Sequence, residues 1–305
     1  VFVVTMPVMF WFFYEISPYA ILANLVVLPL LSLLVGAGVF GCVLSFFWEL
    51  AGGFILSTVH YILRFYEMVC LVIEKLPGRS VVTGRPAPEC ILLYYVVLVG
   101  GIFLYVKWEK KWNIFIAGVL LAGIFLFFPP SPSFLYIQLD VGQGDCSVIL
   151  CGEKTYLIDG GSTSEKEVGK YVISKCLKYY GRSRIDAVFI THSDADHTNG
   201  ILELAANQQK WNIRIDKIIM PELQKIDAGY KTLYRSFKSY NIEVNKMKKG
   251  DVLSCQKLRI RCVHPAPDYE WESENDYSLT LDISYQDLRI LATGDLEQQG
   301  ERAAG

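Results

Sequence analysis

The chain has 305 residues, of which 52% are hydrophobic and 20% charged, and its formal net charge is −2 at pH 7. Residues 1–133 hold only 7 Lys and Arg and 6 Asp and Glu, whereas residues 134–305 hold 22 and 25. This uneven distribution excludes a uniformly water-soluble chain. The first part is predicted to lie in a membrane and the second part to be soluble.

Long uncharged segments predict several membrane spans in the first part. Residues 16–48 carry no charge over 33 positions, enough for one tilted span or for a span broken near its proline and glycine residues. Residues 90–106 and 112–128 are each 17 residues long, the short end of spanning length. Residues 1–14 are expected to end another span. Without an initiator Met or a signal-peptide pattern, the chain is expected to be an internal fragment of a longer polytopic protein.

One basic loop predicts the orientation of these spans. Residues 107–112 contain three lysines and two tryptophans, a pattern that the positive-inside rule places in the cytoplasm. The next span then leads outward to a stiff proline-rich linker at residues 129–132. The soluble part is therefore predicted on the extracytoplasmic face, although Arg79 and Arg85 on the opposite side weaken this charge difference.

Residues 54–76 are apolar but interrupted by polar side chains. Their spacings of three, four, three and seven residues place these side chains on one stripe of a helix. The favoured interpretation is a helix in the membrane interface. The alternative is a helix that lines an aqueous path used by nucleic acid. The stripe consists of Ser57, His60, Arg64, Glu67 and Glu74.

The segment from residue 188 to residue 200, VFITHSDADHTNG, holds four candidate metal ligands directly after a predicted buried strand. Imidazole nitrogens and carboxylate oxygens bind catalytic divalent ions, and a turn at a strand end can direct several of them to one place. Such a site predicts hydrolysis by a metal-activated water. The alternative is an ordinary turn or helix cap. The four residues are His192, Asp194, Asp196 and His197.

This segment resembles the H-x-H-x-D-H signature of the metallo-beta-lactamase superfamily, with Asp194 in place of the second His. Four further motifs support the resemblance: LDVGQGD, LIDGG, NDYSLTL and LATGD, which begin at residues 139, 157, 275 and 291. Together they resemble the hydrolase domain of the ComEC family of competence DNA-uptake channels. Residues 17–34, SPYAILANLVVLPLLSLL, resemble a stretch of that family's membrane domain. The predicted organisation is a competence-type transmembrane domain at residues 1–133 and a hydrolase domain at residues 134–305.

Short β-rich runs alternate with two longer helical stretches in the second part, which predicts sheets covered by helices. The resemblance implies an αβ/βα sandwich of the metallo-beta-lactamase type after a polytopic helical membrane segment. Helices are predicted at residues 166–180 and 228–240, with a shorter one after His197. Strands are predicted at residues 134–139, 147–151, 155–158, 185–191, 217–220, 242–244, 258–263, 279–283 and 288–292.

The resemblance also implies a ligand set for two divalent metal ions. His192 and Asp194 would hold one ion, Asp196 and His197 the other, and Asp295 would bridge them. Asp194 and Asp196 are thus the predicted catalytic residues. Since Asp194 makes the site richer in oxygen, preference shifts from zinc toward manganese.

Four further residues have less specific predicted roles. The resemblance implies that Asp159 orients the ligands, whereas an Asp-Gly turn is its alternative. His264 could contribute to the site or be structural. Asn275 and Ser278 could position a substrate phosphate or shape a turn. The family has a further histidine motif beyond the strand that ends near Asp295, so the hydrolase domain is expected to be C-terminally truncated and to lack at least one ligand.

Charge does not identify the substrate, because residues 134–305 sum to −3 and polyanion-binding proteins usually carry a basic face. Two local basic patches could track a phosphate backbone or be solvated surfaces. One comprises Lys257, Arg259 and Arg261, and the other Lys175, Lys178, Arg182 and Arg184. The eight cysteines include no C-x-x-C pair, and no disulfide is predicted.

The resemblance implies DNA uptake in natural transformation, with single-stranded DNA, membrane lipid and other competence proteins as partners. The leading interpretation is a multi-pass protein of the bacterial cell membrane whose metal-dependent phosphodiesterase or nuclease domain acts on incoming DNA. The first alternative is a channel whose hydrolase-like domain only docks DNA. The second is a membrane-anchored metal hydrolase of a small ester.

Overall fold

The computed structural model describes residues 2–107, 112–266 and 268–304. The chain divides into two compact units, Val1–Val81 and Val82–Gly305. The predicted boundary between residues 133 and 134 stays a prediction, because the second unit includes helices from the predicted membrane part as well as the hydrolase domain.

The first unit contains three helices, α1 (Phe2–Phe13), α2 (Ala20–Phe47) and α3 (Glu49–Glu74), and the two-residue strand β1 (Glu15–Ile16). Helix α2 continues through Pro29 as one helix of 28 residues, so the span is not broken there. Helices α2 and α3 pack closely: a Cβ on Gly52 would lie 2.5 Å from the backbone nitrogen of Ser45. The Tyr66 hydroxyl donates a hydrogen bond to the Val27 carbonyl at 2.8 Å.

Helices α2 and α3 are long and apolar enough to cross a membrane. Their outward side chains are mostly hydrophobic, and Phe46 is 92% exposed. Three other described helices contain shorter apolar stretches, at residues 2–13, 88–104 and 115–125. The predicted polar stripe lies on α3, where Arg64 and Glu67 are exposed and pair at 2.9 Å. Both interpretations of that stripe stay predictions.

The second unit begins at the end of the short strand β2 (Val81–Val82) and continues into helices α4 (Pro88–Lys107) and α5 (Trp112–Phe125). Helix α4 covers the span predicted at residues 90–106, whereas α5 ends three residues before the end of the span predicted at residues 112–128. Residues 108–111 of the predicted basic loop lie outside the described residues, so the orientation stays a prediction.

A six-stranded sheet forms the first layer of β-structure in the predicted hydrolase domain, in the order β10-β9-β7-β5-β4-β3. The first three strands along the chain pair antiparallel, and the pairs β5–β7, β7–β9 and β9–β10 are parallel. The strands are β3 (Phe134–Gln138), β4 (Ser147–Cys151), β5 (Lys154–Ile158), β7 (Ala187–Phe189), β9 (Lys217–Pro221) and β10 (Glu243–Met247).

The strand predicted at residues 185–191 is divided into two. Its first part, β6 (Arg184–Ile185), pairs instead with β8 (Arg214–Ile215) in a separate parallel pair. Asp186 lies at the break, where its carboxylate accepts hydrogen bonds from the Thr155 backbone nitrogen at 2.9 Å and the Lys154 ammonium at 2.7 Å. Because its buried carboxylate makes these bonds, Asp186 belongs to neither strand and separates β6 from β7 (Ala187–Phe189).

The second sheet has four antiparallel strands in the order β11-β12-β13-β14. They are β11 (Val252–Cys255), β12 (Leu258–His264), β13 (Thr280–Tyr285) and β14 (Leu288–Ala292). Apolar side chains of both sheets, including Phe189 and Ile260, form one hydrophobic core between them. The other face of the six-stranded sheet packs against helices around a second core.

The helices on that outer face begin with a π-helical turn at Gly169–Ile173, which continues as α6 (Ser174–Tyr179). The helix predicted at residues 166–180 therefore starts later. The other helices on this face are α7 (Ala195–Ala206), α8 (Gln208–Trp211) and α9 (Ala228–Ser239). The last helix, α10 (Gln298–Ala304), instead contacts β12 of the second sheet. Arg259 and Arg289 are exposed on the outer face of the second sheet.

Candidate metal centre

The candidate site lies where strands of both sheets end. Strand β5 leads to Asp159, β7 to His192 and β14 to Asp295. The backbone nitrogen of Leu279, just before β13, donates to the Thr191 carbonyl at 2.9 Å and joins the two sheets at this edge. Residues far apart in the chain therefore converge because neighbouring strand ends lie at one edge of the sandwich.

Three predicted ligands form one cluster. One ligand atom each of His192, His197 and Asp295 lies within 4.8 Å of the other two. Asp145, Asp159 and His197 form a second cluster, whose ligand atoms also lie within 4.8 Å of one another. The His192 Nε2 atom is buried and has no hydrogen-bond partner among the described residues. A buried nitrogen without a partner is unfavourable unless another group, such as a metal ion, binds it.

The hydrogen bonds around His192 determine which nitrogen carries its proton. The Thr191 hydroxyl donates its single hydrogen to Asp159 Oδ2 at 2.7 Å, so it must accept from His192 Nδ1, 2.9 Å away. Burial, followed by the charge of His197, lowers the pKa of His192. Neutral His192 then directs the lone pair of Nε2 toward the cluster, as a metal ligand requires.

Asp159 contacts His197 directly and His192 through Thr191. It is fully buried, it has a left-handed backbone with φ of 54°, and its carboxylate accepts a hydrogen bond from the Thr191 backbone nitrogen at 2.8 Å. The same carboxylate lies 2.8 Å from His197 Nδ1. The His197 Nε2 atom consequently faces Asp295 at 3.3 Å. The orienting role that the resemblance implies for Asp159 stays a prediction.

His197 binds a proton strongly in the metal-free site. Burial alone would lower its pKa, but the hydrogen bond and charge of Asp159, together with Asp295 and Asp196, raise it to about 9. A cation is therefore favoured between His197 and the carboxylates. A divalent ion would have to displace this proton in order to bind.

Asp194 occupies the N-cap position of α7 with extended backbone, yet its side chain makes no capping hydrogen bond in the described structure. Its carboxylate lies 3.5 Å from His192 Nε2 and is 47% exposed. Asp196 lies in the first turn of α7. The described geometry places its carboxylate in neither three-residue cluster, although its charge acts on His197.

The remaining predicted residues lie beside the clusters. His264 is buried, its Nε2 atom bonds the Asp276 carbonyl at 2.8 Å, and its ring packs edge-on against Tyr269, so this nitrogen is already occupied. Asn275 begins a short 3₁₀ turn, Asn275–Tyr277. The buried Ser278 hydroxyl has no partner within the described part of the chain.

Asp145 is a candidate ligand that the sequence reasoning did not single out. Burial raises its pKa, and Gln138 donates a hydrogen bond to its carboxylate. The glycines of its motif explain its position: Gly144 has a φ of 152°, and a Cβ there would lie 2.5 Å from the Asp196 carbonyl oxygen. Only glycine lets these backbones approach so closely. Asp145 is the last residue of the LDVGQGD motif, and this acidic residue was the sequence signal that could have identified it as a ligand.

A second group that sequence reasoning missed surrounds Ser193. Its hydroxyl donates to Glu274 at 2.6 Å and lies 3.0 Å from the Tyr277 hydroxyl, which donates to Asp227 at 2.8 Å. Burial, and the nearby carboxylates of Asp227 and Asp194, raise the pKa of Glu274 despite the hydrogen bond from Ser193. This network ties the loop after β7 to the start of α9 and adds a carboxylate beside Asp194.

The residues present fit a divalent cation. Two histidines and several carboxylates converge, one imidazole nitrogen is buried with its lone pair unused, and a proton is held where an ion would bind. Nitrogen and oxygen ligands of this kind suit manganese or zinc. A metal ion bound among them would supply Lewis-acid charge for hydrolysis.

Comparisons with known proteins match two different families in two parts of the chain. Residues 1–108 match the family model "Competence protein", and residues 139–255 match "Metallo-beta-lactamase superfamily". ComE operon protein 3 from Bacillus subtilis (strain 168) is 23% identical over 317 residues. The match covers 98% of this chain and 40% of that protein, so the chain spans about two fifths of this relative.

Solved structures of the metallo-beta-lactamase type overlap only in part. The protein YhfI from Bacillus subtilis is 18% identical, with a TM-score of 0.34 over 50% of this chain and 55% of its own. The short form of human tRNase Z is 12% identical, with a TM-score of 0.34 over 53% and 68%. The family-model and sequence matches confirm the predicted resemblance: residues 1–108 are similar to competence proteins and residues 139–255 to the metallo-beta-lactamase superfamily.

Proposed function

We propose that this chain belongs to a multi-pass protein of the bacterial cell membrane that takes up DNA. In this proposal its metallo-beta-lactamase domain is a metal-dependent phosphodiesterase that acts on the incoming DNA. The match to the competence family and the long helices with exposed apolar side chains support membrane-linked DNA handling. The match to the metallo-beta-lactamase superfamily supports hydrolysis.

The observation that carries the enzymatic part is the cluster of His192, His197 and Asp295, with its unpartnered buried nitrogen. We assign two divalent ions, manganese or zinc, to this region. Asp159 holds His197 and, through Thr191, His192 in the orientation that ion binding needs. The proposed ligands are His192, Asp194, Asp196, His197 and Asp295, and Asp145 is a further candidate.

The location of the domain and its partners are part of the same proposal. The basic loop at residues 107–112 supports an extracytoplasmic hydrolase domain. A domain in that place would meet DNA before or during its passage as a single strand. Membrane lipid surrounds the helices, and other competence proteins deliver the DNA.

The test is cleavage of a fluorescent single-stranded oligonucleotide by the intact protein in detergent, with manganese, zinc or chelator. Asp295→Ala removes a carboxylate that faces His197, and we expect it to reduce cleavage at least tenfold. Asp287→Asn is a matched control, because Asp287 is an exposed acidic residue in the turn between β13 and β14, at the other end of these strands.

Metal-dependent cleavage that persists in Asp287→Asn and is lost in Asp295→Ala would support the phosphodiesterase. Oligonucleotide binding without cleavage, by folded protein with bound metal, would contradict it and favour a domain that only docks DNA. Cleavage of a small phosphoester but not of the oligonucleotide would favour the small-ester hydrolase.

A further inference from the structure

Two hairpin turns meet at the end of the sandwich opposite the metal centre. One joins β4 to β5 at residues 152–153, and the other joins β11 to β12 at residues 256–257. Strand β5 runs from this end toward Asp159, and Leu258 pairs with Tyr285 at the far end of β13. The turns are in contact: a Cβ on Gly152 would lie 3.0 Å from the Gln256 side-chain nitrogen.

Each of the two strands leading into these turns ends in a cysteine. Cys151 ends β4 in the first sheet, and Cys255 ends β11 in the second sheet. The Cys151 thiol donates to the Cys255 carbonyl at 3.8 Å, and the two side chains are also in hydrogen-bonding contact. Both residues are free thiols. A disulfide needs Cα atoms roughly 4.4–6.8 Å apart. The Cys151 thiol reaches the Cys255 backbone across the sheets, which makes this the pair to test for one.

The two thiols differ in access. Cys151 is fully buried, whereas Cys255 is half-buried and lines a surface pocket of about 400 Å³. Its charged lining is balanced, with three basic residues, Lys154, Arg184 and Lys217, and three acidic ones, Asp186, Asp216 and Glu243. A disulfide reagent that enters the pocket therefore meets Cys255 first, with Cys151 behind it.

We propose that Cys151 and Cys255 are a redox site, at which a disulfide-bearing oxidant of the glutathione disulfide or thiol oxidoreductase class links the two sheets reversibly. The Cys255 thiolate attacks one sulfur of the oxidant, which forms a mixed disulfide and releases one thiolate that takes up a proton. Cys151 loses its proton and attacks the Cys255 sulfur, which closes the Cys151–Cys255 bond and releases the second thiol. Two protein thiols lose two electrons and two protons, and the oxidant gains them as two thiols.

The link would stabilise the region that holds the metal centre. His192 follows a strand of the first sheet, and Asp295 follows a strand of the second. A covalent bond between the sheets at one end restricts their separation at the other. The bond would close a long loop, because Cys151 and Cys255 are 104 positions apart. Long loops lose the most unfolded-state entropy on crosslinking. The inference does not depend on the nucleic-acid substrate.

The experiment uses the full chain in detergent, treated with glutathione disulfide or with dithiothreitol, then alkylated under denaturing conditions and analysed by peptide mass spectrometry. We expect oxidised protein to yield a peptide pair joined through Cys151 and Cys255. Its melting temperature should exceed that of reduced protein by about 5 °C. Dithiothreitol should reverse both changes.

Variants separate this pair from the other thiols. Cys255→Ser should abolish the linked peptide and the shift in melting temperature, whereas Cys176→Ser, which removes another half-buried thiol of the same domain, should leave both intact. Wild-type protein alone can overturn the proposal, so it does not depend on a variant that folds. Persistent glutathione on Cys255, a bond to another cysteine, or no reaction in folded protein would each contradict it.

Discussion

The starts of helices α7 and α9 look alike in sequence but use their aspartates differently. Asp194 and Asp227 both occupy N-cap positions with extended backbone. Asp227 accepts a hydrogen bond from the Tyr230 backbone nitrogen at 2.6 Å, whereas Asp194 makes no such bond in the described structure and lies 3.5 Å from His192 Nε2. The carboxylate of Asp227 therefore supports its helix, whereas that of Asp194 faces His192 and Glu274 instead of the first turn of its helix.

The largest effect on stability and metal affinity is expected at Asp159, which contacts His197 directly and His192 through Thr191. Asp159→Asn replaces an oxygen that accepts hydrogen bonds with an amide group that donates them, beside Thr191 and His197. We expect the free energy of unfolding to fall by about 3 kcal/mol, because buried donors lose their partner. Metal affinity should fall roughly 10- to 100-fold. Chemical denaturation and calorimetric metal titration measure the two effects, and unchanged affinity in folded variant would contradict the orienting role.

Asp194→Ala tests whether Asp194, unlike Asp227, serves metal binding and not helix capping. We expect metal affinity to fall at least about tenfold, because a carboxylate beside His192 is lost, while stability changes by less than about 0.5 kcal/mol, because no cap is removed. Calorimetric titration with manganese and thermal melting of the metal-free protein give both values. A loss of about 1 kcal/mol in stability with unchanged metal affinity would show that Asp194 acts as a cap after all.

Metal binding should also depend on pH through His197. Its pKa of about 9 means that the metal-free site is protonated at pH 7, so binding should release about one proton and affinity should rise up to about pH 9. In the metal-free protein the folded pKa lies above the ordinary value of 6.5. That stabilisation is complete below pH 6.5 and is lost as the pH rises through about 9. Calorimetry in buffers of different ionisation enthalpy counts the protons, and none released at pH 7 would refute this coupling.

The smallest effect on metal affinity is expected at Asp227. Asp227→Ala removes the cap of α9 and its hydrogen bond from Tyr277, which should lower the free energy of unfolding by about 1 kcal/mol. Metal affinity should stay within about twofold of the wild type, in contrast to Asp194→Ala. A large loss of metal affinity would mean that the network around Ser193 is part of the metal centre.

Local patterns predicted much of the fold. The strands at residues 147–151 and 288–292 have the predicted bounds, and α9 ends one residue before its predicted end. Strand β11 was missed because Val252–Cys255 is short and has only a weak alternation of polar and apolar residues. The division of residues 185–191 was also missed, because it depends on hydrogen bonds that the Asp186 carboxylate accepts from residues about 30 positions away.

The sequence by itself determined that the chain has an apolar helical part and a soluble α/β part, and that the segment after β7 concentrates histidines and aspartates. These properties depend on composition and spacing, which are local. Only the tertiary structure decided which oxygens and nitrogens meet. In the folded chain Asp295 lies beside His197, and Asp159 contacts His197 directly and His192 through Thr191. The Nε2 atom of His264 bonds a backbone carbonyl, and Cys151 contacts Cys255. Such contacts depend on strand order and sheet packing between residues distant in the chain, which no local spacing encodes.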